Sequence, residues 1–292
     1  MGVYLLRIFS ISPDYSTRWN FSHELFRKAL YEGHDVIHCG PGHPISLSPK
    51  IAYVIRDYNP DIIFVHHSKH VRQFNLSTVE IPKVLFQIDY FPERESWRTI
   101  YIDTQKFQVV VFPTTTQMET YQRCRYSKGY PIPYYLPFGV DTDVFRNIHL
   151  NRDLITSGIF SINNSEYPQR EQIIHLLKKI PNTFSKGVYQ AKEALSKEDY
   201  ITILNRSRSG IAPLDKYKSV GLRVFEIPAC RAALVSHFSP DFDRLGFIDG
   251  RNYIKFENYK ELVKKLQESD LEYIAAQGEA LIHNYHTNKH RA

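Results

Sequence analysis

The apolar positions of the chain switch repeatedly between two periods. Residues 3–9 (VYLLRIF) are an apolar run of strand length, followed by a loop with Pro13 and Asp14. Residues 19–32 then group Leu25, Phe26, Ala29 and Leu30 on one helix face, with Gly33 where a helix ends. DVIHC (35–39) restores the strand pattern, IAYVIRDY is helical by spacing, and DIIFVH (61–66) and KVLFQID (83–89) are strands. A weakly marked helix leads to the strand QVVVFPT (108–114), and TTQMETYQRCRY is the next helix. Continuous β-branched runs alternating with amphipathic helices predict a parallel sheet covered on both faces.

Near residues 130–150 the pattern breaks: YPIPYYLPFGVDTDVFRN carries three prolines and no periodicity, which marks an interdomain connection. Alternation restarts with a strand at 154–160 and a helix at 168–180, then a helix over SKEDYITILNRS and the strand SGIAPL (209–214). A helix from Val220 to Cys230, strands at 232–238 and 252–256, and terminal helices at 258–268 and 270–287 complete the chain. The expected fold class is α/β, with two doubly wound, Rossmann-like domains facing each other across a cleft. Residues 1–145 form the N-terminal acceptor-side domain, 146–270 the C-terminal ligand-binding domain, and 271–292 a helix packing back towards the first. Ligands are expected at the carboxyl ends of the strands.

Composition narrows the class. The 292 residues are 42% hydrophobic and 23% charged, which excludes a disordered tail or a fibre. The net charge of +6 divides as +2 over residues 1–146 and +4 over 147–292, without a polybasic block, which suits phosphate-bearing ligands better than nucleic acid alone. Aromatic residues make up 14%, supporting either aromatic-rich cores or a stacking surface. Cys39, Cys124 and Cys230 lie far apart with no Cys-x-x-Cys pair, so a reducing, cytoplasmic setting is expected (the host cytoplasm if the source is viral). The first residues are too short an apolar run for a signal peptide, and no window approaches the roughly 18 apolar residues of a membrane span.

The segment KYKSVGLRVFEIPACRAALVS (216–236) carries the most chemistry. A loop with Lys216, Lys218, Ser219 and Gly221 runs into a helix, so free N–H groups and the positive end of the helix dipole suit a diphosphate. Arg223 and Glu226 share one helix face, where the arginine can reach a phosphate and the carboxylate can accept from ribose hydroxyls; a plain surface pair is the alternative.

These residues carry a family resemblance. LRVFEIPACRAALVS, with SRSGIAPL before it and NYIKFENYKELVKKL after it, resembles the donor-binding half of GT-B glycosyltransferases, and most closely the spore-maturation CgeB-like group. FGVDTDVF (138–145), which contains Gly139, resembles the domain-junction element of that superfamily, and SEYPQREQIIHLL (165–177) is similar to the segment in which the group places an arginine. The resemblance implies a metal-independent sugar transfer, with no cofactor beyond a nucleotide-diphospho-sugar co-substrate, a UDP-sugar first of all. Glu226 would hold the ribose, Arg170 and Lys218 or Arg223 would face the diphosphate with Ser219 and Gly221 at the helix start, and Ile211 to Leu214, including Pro213, would line the base. Asp14 and Gly139 would border the acceptor or cleft. The acceptor would be a surface glycan or a hydroxymethylated base of DNA, and YQRCRYSKGY (121–130) has the basic residues to grip DNA. The chain departs from the pattern at Lys218, where retaining enzymes often carry a second Glu, in SISPDYS, which lacks the usual glycines, and at Ile88, where a His often precedes the Asp.

Other chemistry is weaker. Asp141-Thr142-Asp143 has the D-x-D form of a metal site, yet a turn of acidic residues opening a helix explains it. His66, His67 and His70 match no zinc spacing; His66 at a strand end can serve acceptor binding or base work, while His67 and His70 read as solvated loop residues. Asp89, at a similar height, can deprotonate an acceptor hydroxyl or cap a turn. No nucleophile elbow, Walker loop or strand-linked G-x-G-x-x-G is present. The alternatives are a non-catalytic nucleotide-sugar- or nucleic-acid-binding module and a sugar-nucleotide epimerase.

Overall fold

The computed structural model describes residues 5–14, 21–48, 51–71, 74–90, 96–124, 131–162, 167, 169–190 and 193–292. The first half runs β1 (Arg7–Ile11), α1 (Phe21–Leu30), β2 (Asp35–Cys39), α2 (Ile51–Tyr58), β3 (Ile62–His66), β4 (Lys83–Phe86), α3 (Ser96–Thr104), β5 (Val109–Phe112), α4 (Thr115–Cys124) and β6 (Ile132–Tyr135). Its six strands form a sheet of order β2-β1-β3-β4-β5-β6 with parallel pairings throughout. Phe9, Ile63, Val65, Leu85, Val110 and Phe112 fill the core on one face of this sheet, since alternate residues of a strand point to the same side.

The second half runs β7 (Leu154–Ser161), α5 (Arg170–Leu177), β8 (Thr183–Val188), α6 (Lys197–Arg206), β9 (Ser207–Ala212), α7 (Arg223–Ala229), β10 (Ala233–Ser236), β11 (Ile254–Lys255), α8 (Tyr259–Glu268) and α9 (Leu271–Tyr285). These five strands are again parallel, in the order β11-β10-β9-β7-β8. Three helices start on side-chain caps. Ser196 accepts from the Asp199 N–H, Asn258 from Lys260 and Asp270 from Tyr273, each at 3.0 Å. The core here is Phe160, Ile173, Leu177, Ile211, Val235 and Phe256, with α8 and α9 adding Leu262 and Ile274.

Two strands escape the sequence pattern, and both lie at sheet edges. β6 falls within the proline-rich connection, where Pro133 sits opposite Val110. An edge strand tolerates a proline because one of its sides has no ladder to complete. β8 (TFSKGV) is half-buried along most of its length and has no apolar run to announce it. The strand KVLFQID is shorter than expected: pairing ends at Phe86, and Asp89 lies in a bend with φ 52°. Asp141 opens a turn rather than a helix, its carboxylate accepting from Asp143 and Val144 at 3.0 and 3.2 Å.

The chain divides into two compact units, and the cut follows contacts rather than sequence order. β1 to β6 with α2 to α4 make the first unit, while α1 joins everything from Phe138 onward. By contacts, the second unit resumes at Phe138. The reason is aromatic packing: Phe21 stacks on Phe145 at 5.7 Å, Phe26 meets Phe138 edge-on at 5.6 Å, and the Phe138 to Val140 segment pairs with the chain end. Val140 N–H donates to the His286 carbonyl at 3.0 Å, and Asn288 N–H donates to the Val140 carbonyl at 2.8 Å. A Cβ at Gly139 would stand 2.8 Å from the Thr287 carbonyl oxygen, so only glycine permits this approach. Of the terminal segment 271–292, α9 lies against α7 and β10, while its last residues meet α1 and the Phe138 to Val140 stretch, both within residues 1–145.

Candidate active site

The chemistry of the second unit collects at the carboxyl ends of its strands. Ser236 pairs with Ala212 on one side and with Lys255 on the other, so β9, β10 and β11 end at one level and Pro213, His237 and Phe256 follow at the same height. Arg170, the first residue of α5, is only 7% exposed. Its Nη1 donates to the Ser161 carbonyl at 3.0 Å, Nη2 reaches the Pro213 carbonyl at 3.5 Å, and the guanidinium lies 3.2 Å over the Tyr167 ring. Burial pulls it down to about 9, with Arg223 adding to the fall and Tyr167 and Asp215 opposing it, so it stays cationic at neutral pH.

The loop from Asp215 to Ser219 is built around one buried carboxylate. Asp215 Oδ1 accepts from the N–H groups of Tyr217 (2.9 Å) and Ser219 (2.8 Å), and its carbonyl accepts from Lys218 N–H at 3.0 Å. This holds Lys218 in the left-handed region, φ 61°, a strained state for a residue with a Cβ. The Lys218 carbonyl in turn accepts from Ser239 Oγ at 2.7 Å. The Ser219 N–H expected to await a phosphate is therefore engaged by Asp215. The donors that helix geometry leaves open lie further on, at the start of α7 among Gly221, Leu222 and Arg223.

Glu226 is buried inside α7, and Tyr200 Oη donates to its Oε2 at 2.7 Å. Burial raises its pKa, while hydrogen bonds from Ser22 and Tyr200 and the charge of Arg223 oppose the rise. The alternative of a plain surface pair does not hold: Glu226 is buried, and Arg223 acts on it only electrostatically. Ile211, expected beside a base, is 1% exposed within the apolar core; Pro213 is buried where the sheet ends.

Sequence reasoning passed over His237. It is 3% exposed, its ring lies 4.3 Å from that of Phe256, and its Nδ1 accepts from the Leu214 N–H at 3.2 Å. Burial lowers it to about 4, Lys218 pushing the same way and Glu257 opposing, so the imidazole is neutral with its proton on Nε2. Its only sequence signal is a polar residue directly after the fully buried strand ALVS.

The first unit holds the other candidates. His66 ends β3, 7% exposed, with its ring near Tyr31, Phe64 and Phe86 at 6.3, 5.0 and 5.7 Å. His67, expected in solvent, is equally buried: Gln87 Nε2 meets its Nδ1 at 3.1 Å, and its backbone sits at φ 69°. The backbone of His70 closes the short 3-10 turn Ser68–His70. Asp89 is exposed, and Arg98 Nη1 donates to its carbonyl. Asp14 is half-buried, its N–H donating to the Pro41 carbonyl at 2.8 Å. Gly139 belongs to the second unit, against the chain end. Among the described residues no group of three or more His, Cys, Asp or Glu could hold a metal ion, and no helix is long and apolar enough to cross a membrane.

Residues 160–292, which contain the whole constellation from Arg170 to Phe256, match the model of a family described as glycosyl transferase-like. The two sheets are those of the GT-B fold. A sucrose-phosphate synthase from Thermosynechococcus elongatus superposes with a TM-score of 0.70 at 12% identity, over 97% of this chain and 95% of that one. The Anabaena protein HepE in complex with UDP and glucose gives 0.69 at 11%, over 97% and 96%. A glycosyltransferase from Rickettsia africae gives 0.64 at 12%, over 99% and 96%. At such identities the GT-B likeness is one of fold. No curated protein matches the chain by sequence.

Proposed function

We propose that the protein is a glycosyltransferase that takes a nucleotide-diphospho-sugar, a UDP-sugar first of all, and moves the sugar to an acceptor hydroxyl. The observation that carries the reading is that the family match over 160–292 coincides with a strand end gathering Arg170, Lys218 and Arg223 beside the start of α7. When the bond from sugar to diphosphate breaks, negative charge grows on the leaving group. Fixed cations and helix N–H groups stabilise that charge, a role a divalent metal plays elsewhere, so the reading is metal-independent. Glu226 keeps lone pairs beyond those facing Tyr200 and Ser22, and one of these can accept from a ribose hydroxyl. The UDP and glucose held by HepE support UDP as the nucleotide by analogy of fold.

On the acceptor side, the surroundings favour Asp89 over His66 as base. A base must reach the proton it removes, and the Asp89 carboxylate is exposed while His66 is enclosed by three aromatic rings. The acceptor is a glycan or a hydroxymethylated DNA base. Arg123 of the basic segment is exposed, and residues 125–130 of that segment lie outside the described residues. A gel shift with duplex DNA at low and high salt separates the two, since binding through phosphates weakens steeply with salt. The buried, free Cys39 and Cys230 fit a cytoplasmic setting.

Calorimetry with UDP-, GDP- and TDP-sugars tests the reading. It expects binding of one of them, weakened about tenfold or more in Glu226→Ala by loss of the ribose acceptor. No affinity for any of the three sinks it. Lys218, where a second carboxylate is often found, favours one further reading, a binding module without turnover. Release of free UDP in the presence of acceptor distinguishes that from an enzyme.

A further inference from the structure

Arg170 and His237 grip the same peptide bond. The Pro213 carbonyl accepts from Arg170 Nη2, and the N–H of Leu214, the other half of that amide, donates to His237 Nδ1. A trans amide points its C=O and N–H in opposite directions, so the two side chains hold this peptide from opposite edges. Each retains one buried N–H, Arg170 Nε and His237 Nε2, with no hydrogen-bond partner among the described residues. Buried donors of this kind are costly, and a native structure rarely leaves two of them around one amide without a use for them. Nearby, Lys218 is close enough to act on the His237 imidazole, Arg223 acts on Arg170, and the acidic Glu257 is already paired with Lys255 at 2.6 Å. Asp215, the remaining carboxylate, is spent on its own loop. The unmet demand at this strand end is for acceptor oxygens, and the charge around it favours anionic ones.

We propose that His237 is a ligand-binding residue whose Nε2–H donates to a phosphate oxygen, acting with Arg170 across the Pro213–Leu214 amide. The assignment takes UDP from the functional reading above; the phosphate contact itself stands on the geometry. A neutral imidazole suits the task because it offers a short, rigid donor where a further full charge, beside Lys218 and Arg170, would cost more to bury.

The test titrates pyrophosphate, uridine and UDP into the full chain and into two variants. In His237→Asn the amide oxygen still accepts from Leu214 but no N–H reaches the Nε2 position; His237→Gln restores one there. The Asn variant should bind pyrophosphate and UDP about tenfold more weakly, the size expected for one hydrogen bond to a charged oxygen, with uridine unaffected and partial recovery in the Gln variant. Unchanged affinity for both phosphates overturns the proposal, as does a loss confined to uridine, which would put the imidazole at the base. If the protein binds pyrophosphate through His237 but none of the UDP-, GDP- and TDP-sugars, the transferase reading fails and this one stands; if it binds neither pyrophosphate nor UDP, this one fails, and the transferase reading falls with it only when GDP- and TDP-sugars also fail to bind. Should the Asn variant melt early, the imidazole nitrogen resonances of the unaltered protein decide. Pyrophosphate must move the His237 Nε2 signal, and an unmoved signal overturns the proposal.

Discussion

The two sheets are wound alike, yet the ends of their strands are chemically different. Where β3 and β4 finish, one glutamine ties the two strand ends together. Gln87 donates to the Ile88 carbonyl at 2.6 Å, meets His67, and accepts from the Ser68 N–H at 3.2 Å, while rings surround His66. Where β9, β10 and β11 finish, a buried arginine, a strained lysine and a buried imidazole present donors with few acceptors between them. The same architecture thus carries an end tied together by one glutamine in the first unit and an end crowded with basic donors in the second, through some half-dozen residues placed just after the strands.

The contrast predicts that chemistry and anion binding separate under mutation. Asp89→Asn should lower the transfer rate by about 10²- to 10⁴-fold, the usual contribution of a general base, while UDP affinity measured by calorimetry stays unchanged. A parallel loss of affinity would break the comparison, because it would make the first sheet part of the anion site.

Acid should weigh on the second unit through its buried imidazoles. His286 Nε2–H donates to the Leu245 carbonyl at 2.8 Å, and its Nδ1 faces Arg291 Nη2 at 2.6 Å. Burial lowers it from 6.5 to about 4; Leu245 opposes the fall, and Arg291 and His290 add to it. Because the folded value lies below the unfolded one, the stabilisation is complete above pH 6.5 and is lost as the pH falls through 4. About 3 kcal/mol is at stake, and a similar amount for His237. Urea unfolding at pH 7.5, 5.5 and 4.5, followed by circular dichroism, should show this slope, and His286→Asn should flatten it. A slope identical in the variant would remove His286 as its source.

The smallest effect sharpens the boundary between the units. Gly139→Ala drives a methyl group against the Thr287 carbonyl and should cost about 1–3 kcal/mol, read as a lower melting temperature, with nucleotide affinity retained. A variant as stable as the parent would mean that the chain end yields easily.

How far all this could be read from the chain depends on where the information sits. Central strands such as β3 and β5 announce themselves as apolar runs because both of their faces are covered, one fully and the other at least in part, whereas β6 and β8 need only one partner and keep a proline or polar residues. Lys218 and Glu226 are legible as residue types in a helix-opening segment, and Arg170 through the family resemblance of its own segment. The roles of Asp215 and His237 are not, since each arises from register: one carboxylate closes a loop, and one imidazole lies level with a peptide on the neighbouring strand. The burial of His67 escaped notice for the same reason, its partner Gln87 coming from the next strand.

Helix α1 is the first helix of the chain, yet it lies against Phe138, Phe145, Tyr200 and the 3-10 turn Asn288–His290. On a ribosome it emerges early and must wait, its aromatic face exposed, until residues 138–145 and then 288–290 have been made. Such long closures are slow, and until then Glu226 lacks the Ser22 hydroxyl as a partner. A nascent chain stalled before residue 286 would carry a finished first sheet and an α1 still lacking its contacts with the turn Asn288–His290.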